Sequence, residues 1–249
     1  MATPAENSRR LEPSSTAKSK PKKNLNFCGE PSFVTFIVGK EAQKFTVHKN
    51  LAEHYSPFFE KAFNSGFVEG QTQEMVLDDV EAGIFGYVVN WLYTQKIIHP
   101  EESKIQLEEM AKLWVLAGRF LIPRLQNEAI RHMDWKKHGE LTKIMGNLES
   151  YVMFALSREF EGTQLYRKVL DDLLMICIIV AKSPDPSELS EWDNKWEIFL
   201  TALTNAGGET AVAIIKGLVV RCAPFLSKMQ LVKPIEQYFV EEGDAADGN

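Results

Sequence analysis

Apolar residues fall into two kinds of pattern along this chain: short β-rich runs before residue 78, and longer stripes at helical spacing after it. In VTFIVG (34–39) β-branched and aromatic residues dominate and Gly39 closes the run, which predicts a strand entering a hairpin. KFTVH (44–48) is its expected partner across the GKEAQ turn, and EMVL (74–77) reads as a third short strand. Between them, Ser56 is a good N-cap and Pro57 fits the first helical position, where a missing N–H costs nothing. The helix they start, 57–64, places Phe58, Phe59, Ala62 and Phe63 toward a core.

Asp79 is the expected cap of the next helix, in which Ile84, Phe85, Val88, Val89 and Leu92 form a 3.6-residue stripe. Gly83 and Gly86 each cost that helix up to ~1 kcal/mol relative to Ala, so tertiary packing has to hold its start. Leu107, Met110, Ala111, Trp114, Ala117, Gly118 and Leu121 make a cleaner stripe, which Pro123 is expected to end, with a further helix over 124–136.

The second half reads as all-helical. One helix is expected over roughly 140–158. Another, about 163–181, is apolar nearly all round in its C-terminal half and should be buried. Pro184 and Pro186 break the chain, and Ser190 caps a helix with the stripe Trp192, Trp196, Phe199, Leu200 and Leu203, stopped by Gly207-Gly208. VAIIKGLVV (212–220) is a last core helix before Pro224. The pattern predicts an α+β class: a small sheet flanked by helices, then an all-helical extension.

Composition adds limits. The 249 residues suit one large domain, or one domain with an extension. Residues 1–26 hold six Lys/Arg against two Glu, so this tail carries +4 and the remainder −10 of the chain's net −6. An acidic body argues against a nucleic-acid surface, which needs clustered basic residues. The tail has little to bury and should be disordered, as should the acidic EEGDAADGN (241–249). Within it, KSKPKK, with Lys18, Lys20, Lys22 and Lys23, is either a solvated basic run or a nuclear-localisation signal. The longest apolar run, LLMICIIVA (173–181), is about half the ~20 residues that span a bilayer, so no membrane partner is expected. With no apolar leader and no glycosylation sequon, cytoplasm or nucleus is the expected location.

Candidate chemistry is sparse. Cys28, Cys177 and Cys222 are widely separated and form no metal-type pair. His48 and His54 are six apart and do not share a helix face as zinc ligands do. His48, at a strand-to-helix corner, reads as a hydrogen-bonded structural residue. Asp78-Asp79 and Asp171-Asp172 are adjacent, so their side chains diverge, and there is no phosphate-binding Gly-rich loop or nucleophile elbow. No enzyme activity, cofactor or metal is expected.

VTFIVG, the F-x-x-H-K segment from Phe45 to Lys49, S-P-F-F from Ser56, L-D-D-V-E-A-G-I-F (77–85), W-L-Y-T (91–94) and the pattern Leu116, Ala117, Ile122, Leu125 follow in order over about 33–135. Together they resemble a BTB/POZ domain, and NSGFVEG with WLYTQKI is especially similar to fungal BTB proteins. G-T-Q-L-Y-R-K-V-L-D-D (162–172) resembles a segment those proteins often carry after the domain. The resemblance implies a BTB/POZ domain over 27–136, a helical extension over 137–240, and binding to other proteins rather than catalysis. In many relatives one face homodimerises and another binds a cullin-family scaffold of a ubiquitin ligase through an apolar-x-Glu motif. Phe67, Val68 and Glu69 stand at the corresponding place. Two readings of function result: an adaptor joining an unidentified client to a cullin-type ligase, or an oligomerisation scaffold or nuclear regulator independent of ubiquitin. Dimeric relatives often carry an acid at the start of the first strand, paired with the basic residue after the histidine. Here Phe33 replaces that acid while Lys49 is retained, so the dimer face would use Phe33 and Lys49 differently, with Lys49 in solvent or on another partner such as Glu30.

Overall fold

The computed structural model describes residues 25–99, 106–134, 148–182 and 238–240. The expected basic signal, the helices after Ser190 and over 212–220, Cys222, the acidic tail and the 136/137 domain boundary lie outside them.

Strands β1 (Phe33–Val38) and β2 (Gln43–His48) form the expected antiparallel hairpin. Gly39 turns it at φ 72°, where a non-glycine residue would be strained. β3 (Glu74–Leu77) joins the other side of β1 in parallel, giving the order β2-β1-β3. Between β2 and β3 lie three short helices, α1 (Lys49–Tyr55), α2 (Pro57–Phe63) and α3 (Val68–Thr72). Only α2 stands out in the sequence, because Ser56 and Pro57 mark its start. The hydroxyl of buried Ser56 accepts from Phe59 N–H at 3.0 Å and donates to the Phe120 carbonyl at 2.6 Å. One side chain therefore caps α2 and ties it to the end of a later helix.

After β3 come α4 (Ala82–Thr94), α5 (Leu107–Arg119) and α6 (Pro123–His132). The inner sheet face packs its aromatic residues on these helices. Phe36 lies 4.9 Å from Phe59, 5.6 Å from Phe63 and 4.9 Å from Phe85 between ring centroids, and Phe59 lies 4.7 Å from Phe120. All five rings are buried, so this cluster is the centre of the apolar core. The α+β architecture agrees with the sequence reading.

Three local expectations are corrected. Asp79 does not cap α4; Glu81 occupies that position without a side-chain cap, and Asp79 instead pairs with Arg119 at 2.6 Å. Pro123 does not stop α5. That helix ends at Arg119, Leu121 takes a left-handed φ of 57° and turns outward, and Pro123 becomes the first residue of α6. The α4 stripe is also broader than expected: Tyr87 and Trp91 are buried with it, while Val89 is only partly covered. Both have polar partners that permit this. Tyr87 donates to Glu109 at 2.9 Å, and Trp91 donates from Nε1 to Glu128 at 2.7 Å. Burial, followed by the hydrogen bond and charge of Glu109, pushes the Tyr87 phenol well above its ordinary pKa.

Two further helices, α7 (Leu148–Ala155) and α8 (Gln164–Lys182), flank a short 3-10 turn at Arg158–Phe160. α7 packs on α5 and α8 packs on α7. No helix of the described residues is long and apolar enough to cross a membrane.

Candidate interaction surface

The segment from Asn64 to Gln73 connects α2 to the edge strand β3 and carries the apolar-x-Glu candidate. Its backbone is held at nearly every residue. The Ser65 hydroxyl donates to the Ala62 carbonyl at 2.8 Å and accepts from Phe67 N–H at 3.2 Å. The Phe67 carbonyl then accepts from Gly70 N–H and Gln71 N–H, both at 3.1 Å, which starts α3. Gln71 reaches back to the Gly66 carbonyl at 2.9 Å.

Gly70 is required by contact rather than by φ. A Cβ there would stand 1.9 Å from the Ser65 carbonyl oxygen, a backbone atom that no rotamer change can move. Gln73 closes the turn in a left-handed conformation, φ 57°. Its side-chain amide donates to the Gly70 carbonyl at 2.6 Å and to the Phe63 carbonyl at 3.1 Å.

On this frame Phe67 and Val68 project outward, 76% and 69% exposed, and Glu69 beside them is half-buried. An outward aromatic side chain on a loop held by its own hydrogen bonds has the form of a candidate anchor for a protein partner. The ring does not tuck beneath its own loop.

Lys49 belongs to the same region. Its ammonium donates to the Phe63 carbonyl at 3.2 Å and lies 3.6 Å from Glu53, its neighbour one helical turn along α1. Lys49 and Gln73 thus share the carbonyl at the C-terminal end of α2, where positive charge is favoured. Glu30, expected as a partner, is not the group that Lys49 meets.

Phe33 lies elsewhere. It stands opposite His48 in the hairpin, with ring centroids 4.6 Å apart. Phe27 approaches the same imidazole at 5.5 Å and Tyr93 at 5.9 Å. The Tyr93 hydroxyl accepts from His48 N–H at 3.2 Å and lies 2.9 Å from His48 Nδ1, which gives this histidine the structural place expected of it. Phe27, Phe33 and Tyr93 remain about half exposed around it. A depression of about 210 Å³ lined by Phe27, Glu30, His48 and Asn50 adjoins them. The structure therefore does not bring Phe33 and the Lys49 ammonium together: one joins an aromatic patch, the other braces the α2–α3 loop. Phe27 and Tyr93 escaped the sequence reading because the first precedes the hairpin and the second sits on the polar side of the α4 stripe.

Among the described residues no three His, Cys, Asp or Glu side chains gather into a metal-binding group. The exposed cysteine Cys28 stands in no such cluster.

Residues 24–137 match the family model of the BTB/POZ domain, and this part of the chain is a BTB/POZ domain. The chain is 32% identical over 89 residues to rat "Kelch repeat and BTB domain-containing protein 8", covering 36% of this chain and 14% of that protein. It is 33% identical over 91 residues to the Xenopus tropicalis protein of the same name, again 36% and 14%. Zebrafish "Kelch-like protein 40a" is 25% identical over 104 residues, 42% of this chain and 16% of the relative. The chain thus spans about a seventh of the length of these curated relatives. They are animal proteins, whereas the motifs of the sequence had pointed to fungal ones.

Proposed function

We propose that this chain is a non-catalytic adaptor that joins a client protein to a cullin-type scaffold of a ubiquitin ligase, with Phe67, Val68 and Glu69 as scaffold contacts. The observation that carries the reading is the combination of an outward Phe67-Val68 pair with a loop fixed by its own hydrogen bonds. Burying such an anchor on a partner loses little conformational entropy, because the loop is already held by its own hydrogen bonds. A carboxylate next to the anchor adds orientation and selects a partner that offers a donor or a positive charge. The likeness to Kelch-like BTB proteins supports an adaptor role for the domain. The helical extension after it, with the boundary proposed near residue 137, would hold the client.

The test is a calorimetric titration of the full chain with the N-terminal domain of a cullin scaffold. Micromolar or tighter binding is expected, weakened by about 30-fold or more in Phe67→Ala/Glu69→Ala, the effect of removing one hot spot of ~2 kcal/mol. No binding heat from the folded wild type at several temperatures would remove the adaptor reading.

A second reading has its own support in the Phe27, Phe33 and Tyr93 patch, whose half-exposed rings suit self-association. Light scattering that gives a dimer for the wild type and a monomer for Phe33→Asp would establish it. For a nuclear role, a tagged chain with Lys18, Lys20, Lys22 and Lys23 replaced should lose nuclear accumulation; an unchanged distribution removes these lysines as a localisation signal.

A further inference from the structure

Three consecutive residues, Tyr238, Phe239 and Val240, lie against helices α6 and α8, elements that the α2–α3 loop does not include. Their partners stand 67 to 113 positions earlier in the sequence. Tyr238 is buried with the core and Phe239 and Val240 pack against it, but polar groups also hold all three. Asn127, on α6 and almost wholly buried, donates from its amide to the Val240 carbonyl at 3.0 Å and accepts from Val240 N–H at 2.7 Å. A carboxamide that pairs with both backbone groups of one residue reads the main chain and fixes its register, without regard to the side chain.

One helical turn further along α6, the Arg131 guanidinium lies 4.3 Å from the Phe239 ring centroid. On α8 the Tyr238 hydroxyl donates to Asp171, and its ring faces the Lys168 ammonium at 5.7 Å. Lys168 is itself held rigidly in the interior by an ion pair with Asp172 and a 3.4 Å bond to the Met133 carbonyl. Asp172 in turn accepts from Tyr151 of α7 at 3.3 Å. Two cationic seats for aromatic rings and one backbone clamp therefore hold three consecutive residues, the kind of contact by which recognition sites take short peptides.

We infer that the face of α6 and α8 beneath Tyr238–Val240 is a peptide-recognition site whose resident occupant is that segment, and that a client segment of the same chemistry exchanges with it. That segment carries a hydroxylated aromatic, a second aromatic and an aliphatic residue in succession. The seated segment is itself the template for this pattern. At Val240 the Asn127 clamp meets the main-chain N–H and C=O, so these two bonds select shape and not identity at the third position. The inference does not depend on the scaffold contact at Phe67, which lies on different elements.

The probe is a fluorescent synthetic peptide of residues 234–244, PIEQYFVEEGD, followed by anisotropy against the full chain. Tyr238→Ala/Phe239→Ala removes the competing occupant's anchors, and should bind the peptide at least tenfold tighter than wild type does. Adding Asn127→Ala should reverse that gain by at least tenfold, and a peptide with Ala at both aromatic positions should not bind. A folded double variant that binds no tighter than wild type overturns the inference, as does binding insensitive to Asn127→Ala. If the double variant does not fold, the wild type is titrated with millimolar peptide and followed by NMR of the Asn127 and Arg131 side chains. Saturable shifts are expected there, and their absence overturns the inference. A wild-type dimer lost on Phe239→Ala would assign the segment to a second copy of this chain and overturn the exchange with a client.

Discussion

The α2–α3 loop and the surroundings of His48 both expose large apolar side chains, and they do it in opposite ways. In the α2–α3 loop the Phe67 ring stands beside Val68 alone, while the backbone beneath is held by side chains: Ser65, Gln71 and Gln73 each bond to main-chain groups of the segment. Around His48 the rings hold one another, with Phe27, Phe33 and Tyr93 all within 6 Å of one imidazole. The first arrangement gives a rigid mount for a single anchor, suited to a small pocket on a partner. The second spreads partial exposure over a patch, suited to a broad and flatter contact. Exposure by itself does not distinguish an anchor from a patch; what holds the exposed ring does.

The largest expected effect comes from Gly70→Ala. The added methyl meets the Ser65 carbonyl at 1.9 Å, so the loop must change its path. Scaffold binding should fall at least 100-fold and thermal unfolding should shift down, since relieving a backbone overlap of this kind costs on the order of 1–3 kcal/mol. Self-association through the His48 patch should survive at temperatures where the variant is folded. Next is Phe67→Ala, which should weaken scaffold binding by about 30-fold and leave the melting temperature within experimental scatter, because an exposed ring contributes within ~0.5 kcal/mol to folding. A smaller effect is expected for Lys49→Met. It removes one of two donors on the Phe63 carbonyl while Gln73 keeps the other, and binding should drop only a few-fold. Lys49→Arg, which retains a donor, should recover part of it.

How much of this was readable in advance differs between the same two regions. The hairpin, β3, α2 and the α4–α5 stripes were legible because alternation, Ser56-Pro57 and helical periodicity act locally. The likeness to the BTB/POZ pattern singled out Phe67, Val68 and Glu69, but not the reason they stand out. That reason is a hydrogen-bond frame between residues 2 to 14 positions apart, and no local propensity encodes it. α1 and α3 were missed because helices of seven and five residues carry too few periods to read. The contacts of Lys49 are hidden from the sequence for a related reason. Its neighbour His48 meets the aromatic rings, whereas the Lys49 ammonium meets the Phe63 carbonyl and Glu53. The clamp at Asn127 was invisible, since its partner Val240 is 113 residues away.

The smallest expected effect is a pH dependence at the junction of α5 and α7, remote from both exposed regions. Hydrogen bonds from Lys112 and then Ser150 hold the Glu108 carboxyl below its ordinary pKa. Partial burial opposes the charge on Lys112, yet bonds to Glu108 and Glu81 leave its pKa raised. A lowered carboxylate contributes stability above the ordinary glutamate value of about 4.3, lost as pH falls through the folded value. A raised lysine contributes below about 10.4, lost as pH rises through its folded value. Glu108→Gln should therefore flatten the acid limb of a melting-temperature profile by a degree or so, without touching scaffold binding; these are partly exposed pairs, and screening keeps them weak.

The distinction between anchor and patch is tested most directly by one paired titration of the scaffold domain, with Phe67→Ala and Phe33→Ala measured side by side at matched stability. Binding lost in Phe67→Ala and kept in Phe33→Ala is the expected result. Binding kept in Phe67→Ala and lost in Phe33→Ala would contradict it, and would move the partner's seat to the rings around His48.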